Sequence, residues 1–304
     1  MDKLEPEKIL RQIPDFKDAA QSVSRGIHDI VLEGGKPTRK VADLLHGTWL
    51  GHPLHPVLTD IVVGAWGFGA VFDLMSLNSK SRSAEKAADT LTTIGTLAAI
   101  PTAVAGIADY STITRRAMAT GGGHGLINGI ALVLYILSMW ARKAGNRGLG
   151  LFFSGMGISL ATVSAWLGGE LVYKYGVGVN KSIQPTEPED WIAVLDEIEL
   201  REREPRRVKV KDQEVLLYRQ AGAIYAIGAV CAHEGGPLDQ GSFEDLCVEC
   251  PWHQSVFDLR DGSVVHGPST YAVPGYETRI RNGKLELRLQ QRMLQGAPGM
   301  QTAI

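Results

Sequence analysis

The hydrophobic period of the chain changes twice along its length. Within residues 1–45, Phe16, Ala20, Val23, Ile27 and Ile30 recur every three or four positions, which predicts an amphipathic helix suited to a bilayer interface. Four nearly continuous apolar runs follow, at Val57 to Leu77, Ala87 to Ala108, Gly125 to Trp140 and Leu149 to Val172. A helix of about 20 residues crosses a bilayer, so their succession predicts a four-span bundle over residues 46–180. The third run is short and the first carries Asp60 and Asp73, whereas the fourth has no charge between Leu149 and Gly169. Ala65 with Gly69, and Gly125 with Gly129, stand at the helical spacing that lets helices approach closely in lipid. Gln184-Pro-Thr-Glu-Pro-Glu-Asp190 then reads as a solvated connector within 181–190. From Val208 onward the period falls to two, with strands expected around Val208 and Val210, Val215 to Tyr218, and Ile224 to Ile227. Asp261-Gly262 and Asn282-Gly283 are hairpin signals, the second flanked by alternating Thr278, Ile280, Leu285, Leu287 and Leu289. The expected fold class is therefore α + β multidomain: an N-terminal four-helix transmembrane bundle, then an all-β antiparallel domain over 191–290. Residues 291–304 form a tail too short for catalysis.

Composition narrows the function. A net charge of -2 argues against nucleic acid as the main partner and leaves the lipid bilayer as the expected one. The 3 cysteines all fall between Cys231 and Cys250, too few and too clustered for a disulfide framework, which favours a metal site. No apolar segment with a small-residue cleavage site opens the chain, so no removable signal peptide is expected. Short connections imply an up-down-up-down bundle with both termini on one face of the cell membrane. Lys80, Arg82, Lys86, Arg142, Lys143 and Arg147 at one end nearly balance Lys36, Arg39, Lys40, Arg115, Arg116, Lys174 and Lys181 at the other. The lack of an export signal and of a disulfide pair favours a cytoplasmic terminal face.

That topology places His46, His52, His55, Asp60, Asp109, His124, Asn128 and Glu170 on the terminal face. Polar groups at membrane depth are costly, so His52, His55, Asp60, Asp109, His124 and Glu170 form a candidate site for haem, a metal ion or quinone. The competing reading is a set of interfacial histidines hydrogen-bonded to one another and to the aspartates. Leu50-Gly-His-Pro-Leu-His-Pro56, the GGGHGLIN start of the third span and the GELVYKYGVGV ending resemble a bacterial four-helix membrane domain of unknown function, from Leu50 to about Val179. The resemblance implies the bundle and the grouped histidines, and it carries no activity with it.

In the β region, Cys231-Ala-His233 and Cys250-Pro-Trp-His253 present two thiols and two imidazoles. Such a set suits a 2Fe-2S centre with both sulfurs on one iron and both nitrogens on the other, with a tetrahedral zinc site as the competing reading. Cys247 with Cys250 adds a Cys-x-x-Cys to the zinc reading. The longer strings Cys-Ala-His-Glu-Gly-Gly-Pro-Leu, Cys-Pro-Trp-His-Gln-Ser-Val-Phe-Asp and Gly267-Pro268, in this order within Trp191 to Leu289, resemble Rieske ferredoxins. By that resemblance Cys231 and Cys250 hold one iron, while His233 and His253 hold the other near the domain tip.

Around the cluster the resemblance implies roles for Gly236, Trp252, Ser255, Phe257 and Pro268. Gly236 and Trp252 stand where quinol-oxidising relatives carry an extra disulfide, so that bridge is missing. Ser255 matches a serine that donates to a bridging sulfide, and Phe257 replaces a tyrosine hydroxyl. Fewer hydrogen bonds to sulfur imply a potential below the quinol-oxidising subunits. Cys247 is expected as a buried strand thiol, and His266 as a surface residue. The leading expectation is a membrane-anchored one-electron carrier, exchanging electrons with a redox partner protein or the quinone pool. Two alternatives are a multi-centre redox enzyme with haem or quinone at the bundle histidines, and a redox sensor.

Overall fold

The computed structural model describes residues 13–182 and 190–290; the start of the chain, most of the acidic connector and the C-terminal tail lie outside the described residues. The described chain divides into two compact units. One runs through Gly47 and from Pro53 to Val177, and the other takes in Thr48–His52 and the residues from Gly178 onward.

The amphipathic stripe folds as α1 (Phe16–Glu33), and a second helix missed by the sequence reading follows it directly, α2 (Gly35–His46). Each apolar run becomes a helix longer than the run itself: α3 (Leu54–Ser79), α4 (Arg82–Ser111), α5 (Met118–Lys143) and α6 (Arg147–Tyr173). All four are long and apolar enough to cross a membrane. The overshoot has local causes. Ser81 and Asn146 accept hydrogen bonds from the N–H groups of Ala84 and Leu149 and start α4 and α6 outside their apolar runs. The third run extends to 26 residues because glycine- and alanine-rich Met118–Gly123 continues the helix.

Packing within the bundle depends on small residues. Trp66 stacks on Tyr135 with ring centroids 3.9 Å apart, in a core with Val62, Ala99 and Ala131. A Cβ on Gly95 would meet Trp66 at 2.5 Å, and one on Gly157 would meet Tyr135 at 2.9 Å. Gly69 also lies close to α4, whereas Gly125 and Gly129 face open space and mediate no contact. The helical contacts thus rest mainly on glycines other than those the spacing rule selects.

Charge is buried at the end of the bundle where α3 meets α4 and α5 meets α6. Arg142, its side chain 5% exposed, donates from Nη2 to Asp73 Oδ2 at 2.5 Å and from Nη1 to Asp89 Oδ1 at 2.6 Å. Its Nε reaches Ser138 Oγ at 3.1 Å, and Nη2 also reaches Ser154 Oγ at 3.0 Å. Arg147 adds bonds to Asp73 and Asp89, both at 3.0 Å. All four spans contribute a side chain, and every donor position of Arg142 is used.

At the opposite end, α1 docks through Ser24 Oγ, which donates to Tyr110 O at 3.1 Å, while Tyr110 Oη donates to Ala20 O at 2.9 Å. Helix α2 docks through His46, whose Nδ1 lies 3.0 Å from Asp109 Oδ1. Only part of the α1 stripe is spent on the bundle: Ala20 is buried, whereas Val23 and Ile30 remain exposed.

The second unit is antiparallel β. A six-stranded sheet has the order β1-β10-β9-β4-β3-β2, from β1 (Ile192–Asp196), β2 (Arg206–Val210), β3 (Gln213–Gln220), β4 (Ala223–Gly228), β9 (Gly275–Arg281) and β10 (Lys284–Leu289). A smaller sheet orders β5 (Ser242–Glu244), β6 (Cys247–Glu249), β7 (Val256–Asp258) and β8 (Val264–His266) sequentially. Both expected hairpins form: Asn282 and Gly283 have positive φ between β9 and β10, and Gly262 has φ 75° between β7 and β8. Alternation along β3 and β4 buries Leu216 and Ile227 toward the small sheet, with Leu238, Val248 and Phe257. The other face packs Val215, Leu217, Leu285 and Leu287. The expected connector starts late, because Lys181 and Ser182 already belong to this unit.

Candidate metal centre and the bundle histidines

Two loops of matching construction carry the predicted ligands. In the first, Cys231 N–H donates to Gly236 O at 2.8 Å and Gly235 N–H returns to Cys231 O at 3.0 Å. In the second, Cys250 N–H donates to Ser255 O at 2.8 Å and Gln254 N–H returns to Cys250 O at 3.1 Å. Each loop turns through a left-handed residue four positions after its cysteine, Gly235 at φ 80° and Gln254 at φ 56°. Glycine enters that region freely, and glutamine at some cost.

The repeated turn brings like groups together. Cys231 and Cys250 are buried, with their sulfurs near enough to share a proton. The bond from Cys231 holds the Cys250 thiol down to about 7, helped by the N–H groups of Trp252 and His253; the same shared proton, then burial, pushes Cys231 up. His233 and His253 lie with ring centroids 5.1 Å apart and planes at 90°, half-buried at the loop tips. Glu234, beside His233, is pushed up to about 7 by burial, with Lys181 acting in the opposite direction.

Neighbouring side chains are shaped around the sulfurs. A Cβ on Gly236 would lie 2.7 Å from Cys250 Sγ and 3.2 Å from the Trp252 ring. Ser255 is 1% exposed and its Oγ accepts from Ser269 N–H at 3.0 Å, which leaves its own proton to be donated elsewhere. Phe257 is fully buried in the core, and Trp252 is 51% exposed. The Gly267-Pro268 peptide is cis, and Pro268 is half-buried. Cys247 is only half-buried on β6, and His266 is half-buried on β8 rather than on the surface. Among the described residues no three His, Cys, Asp or Glu side chains gather as one ion would need; the donors come as pairs. Two thiols facing each other and two imidazoles side by side fit a centre with two metals and a different ligand pair on each.

The bundle histidines are brought together only in part. His55 and His124, on α3 and α5, meet with centroids 6.3 Å apart and planes at 85°. Both rings are tied to backbone: His55 Nδ1 lies 2.9 Å from Thr102 O, and His124 Nδ1 lies 2.8 Å from Ser164 O. Asn128 Nδ2 is 3.1 Å from His124 Nε2. His46 and Asp109 make a separate pair, Glu170 pairs with Lys174 at 3.2 Å, and Asp60 is exposed. His52 belongs to the β unit. The buried Arg142 cluster was not anticipated from sequence, where Asp73 figured only as a blemish in the first span.

An antiparallel β domain presenting paired Cys-x-His and Cys-x-x-His loops defines the class of iron–sulfur electron-transfer domains. The chain belongs to the Rieske [2Fe-2S] family, whose model matches residues 190–277, and a second model, "Predicted membrane protein (DUF2231)", matches residues 51–181. It is similar to the ferredoxin component of the naphthalene 1,2-dioxygenase/salicylate 5-hydroxylase systems of Ralstonia sp, 34% identical over 104 residues, covering 34% of this chain and 98% of that protein. The anthranilate 1,2-dioxygenase ferredoxin subunit of Burkholderia cepacia is 33% identical over 91 residues, covering 30% of this chain and 84% of that protein. The solved ferredoxin of carbazole 1,9a-dioxygenase from Nocardioides aromaticivorans IC177 is 27% identical with a TM-score of 0.32, covering 33% of this chain and 98% of that one. The chain is thus a Rieske-type electron-transfer protein carrying a predicted membrane domain.

Proposed function

We propose that this chain is a membrane-anchored one-electron carrier, whose 2Fe-2S cluster is held by Cys231 and Cys250 on one iron and by His233 and His253 on the other. The observation that carries the reading is the pair of matching loops, which places buried sulfurs together and half-buried imidazoles at the tips. When bound, the cluster supplies a reversible one-electron couple. The residues of the chain do the rest. Against the burial that disfavours charge, the N–H groups of Trp252 and His253 favour thiolate at Cys250, and Ser255 has a proton to offer sulfur. The half-buried histidines give an electron its exit toward a partner oxidoreductase. The relatives are components of oxygenase systems, which supports a protein partner of that kind.

Four bilayer-length helices support a multi-pass anchor; we assign its terminal face to the cytoplasm. Basic residues nearly balance between the two ends, six against seven, so the assignment of the face rests on the 3 cysteines being too few and too clustered for a disulfide framework. Electron paramagnetic resonance of dithionite-reduced membranes, comparing the intact chain with His253→Ala, tests the cluster. A Rieske signal lost in the variant is expected, and its absence from iron-replete, well-expressed intact protein would overturn the reading. A second reading, haem or quinone at His55 and His124, rests on their perpendicular rings. For haem, it expects a Soret band that His124→Ala abolishes.

A further inference from the structure

Only residues 182–189 separate the two family matches, so by sequence Asn180 and Lys181 close the membrane-domain match. The membrane-domain match ends at residue 181 and the Rieske match begins at 190. The ferredoxin relatives are matched almost end to end by about a third of this chain, so most of the chain lies outside their reach. Structurally, however, Asn180 to Ser182 are bonded into the cluster-binding unit. Lys181 N–H donates to Ala232 O at 2.9 Å, the carbonyl between the proposed ligands Cys231 and His233. The Lys181 side chain crosses the open face of Gly235, with Cβ and Cγ 3.8 and 4.0 Å from where a Cβ there would stand. Asn180 Oδ1 accepts from Ser182 N–H at 2.8 Å, and the buried Ser182 hydroxyl lies 3.4 Å from the Cβ position of Gly228. The first ligand loop is therefore braced from outside by residues that directly follow the helical unit.

We infer that Lys181 is a positioning and potential-setting residue of the cluster: its backbone N–H holds the Cys231–His233 loop, and its ammonium places a fixed positive charge beside that loop. The inference rests on the cluster reading above. A cation near the cluster stabilises the reduced form, which carries one more negative charge, and the effect is strong where solvent is partly excluded. Glu234, next in the chain to His233, feels the same ammonium, which acts against the burial that disfavours its charged form.

The test uses full-length protein in detergent, with redox titration of the Rieske resonance in wild type, Lys181→Ala, Lys181→Arg, Lys181→Glu and Lys181→Pro. Lys181→Ala keeps the N–H and removes the charge; electron affinity is expected to fall about tenfold, equivalent to about 59 mV for one electron. Lys181→Glu should fall further, and Lys181→Arg should return near wild type. Lys181→Pro also removes the N–H, and its extra loss should appear as lowered cluster occupancy relative to Lys181→Ala. Unchanged midpoints in Lys181→Ala and Lys181→Glu, with a normal wild-type signal, overturn this inference alone. A wild type without any Rieske resonance overturns both it and the cluster reading.

Discussion

Each unit removes a polar assembly from water, and the two assemblies are finished differently. In the bundle, Arg142 meets Asp73, Asp89, Ser138 and Ser154, so its capacity to donate is exhausted by protein. In the β unit, Cys231 and Cys250 have chiefly each other and loop N–H groups, and Ser255 retains a proton after accepting from Ser269. The first assembly is closed at Arg142, while Arg147 Nε beside it has only a 3.8 Å ion pair with Glu85. The second brings the candidate ligands together in like pairs, two sulfurs and two imidazoles, the arrangement that the proposed cluster requires. A buried polar group left incomplete costs free energy, so the contrast separates a structural use of burial from a receptive one.

Substitutions can break this contrast. The largest effect is expected from Cys250→Ser, which should abolish the Rieske resonance while leaving the thermal unfolding of the bundle in detergent unchanged; a shift in both would show that the two assemblies are not independent. Asp73→Ala removes the bidentate partner of Arg142 but leaves it Asp89, and should cost about 1.5–3 kcal/mol of bundle stability. The paired change Asp73→Leu with Arg142→Met should cost less than either single change, because both members of a buried pair go together and Arg147 keeps Asp89. Gly236→Ala puts a methyl 2.7 Å from Cys250 Sγ and should cost about 1–3 kcal/mol, read as lowered iron content per protein. Ser255→Ala should retain the cluster but lower its potential by about 60 mV, the one-electron equivalent of 1.4 kcal/mol for a hydrogen bond to charged sulfur. The smallest effect is a gain: Gln254→Gly relieves a left-handed glutamine and should raise β-unit stability by about 1 kcal/mol in a denaturant titration.

Legibility in sequence followed the range of the interaction. The ligand loops could be read because each completes its geometry within six residues, and the Asn282-Gly283 hairpin because its turn is made by two. Apolar runs revealed the spans, although their ends depended on caps such as Ser81 and Asn146. Nothing local announces that Asp73 will meet Arg142, 69 positions away, because that depends on the rotation and axial register of α3 against α5. The same limit hid the glycines that matter. Gly95 and Gly157 are selected by the aromatic rings they face, whereas Gly125 and Gly129 had the right spacing and the wrong side. Helix α2 escaped notice because its apolar positions are few and its polar ones many, and the bracing role of Lys181 because the adjoining stretch reads as a solvated connector.

The stacked Trp66 and Tyr135 have one more consequence. With Val62, Ala99 and Ala131 around them and glycines pressed against their rings, they form a dry layer partway along the spans, between the histidine end and the arginine end. Rings 3.9 Å apart leave no file of water between them. The bundle is in this sense an insulator. Membrane vesicles containing the protein should hold a proton gradient as tightly as empty ones, whichever way electrons move through the cluster.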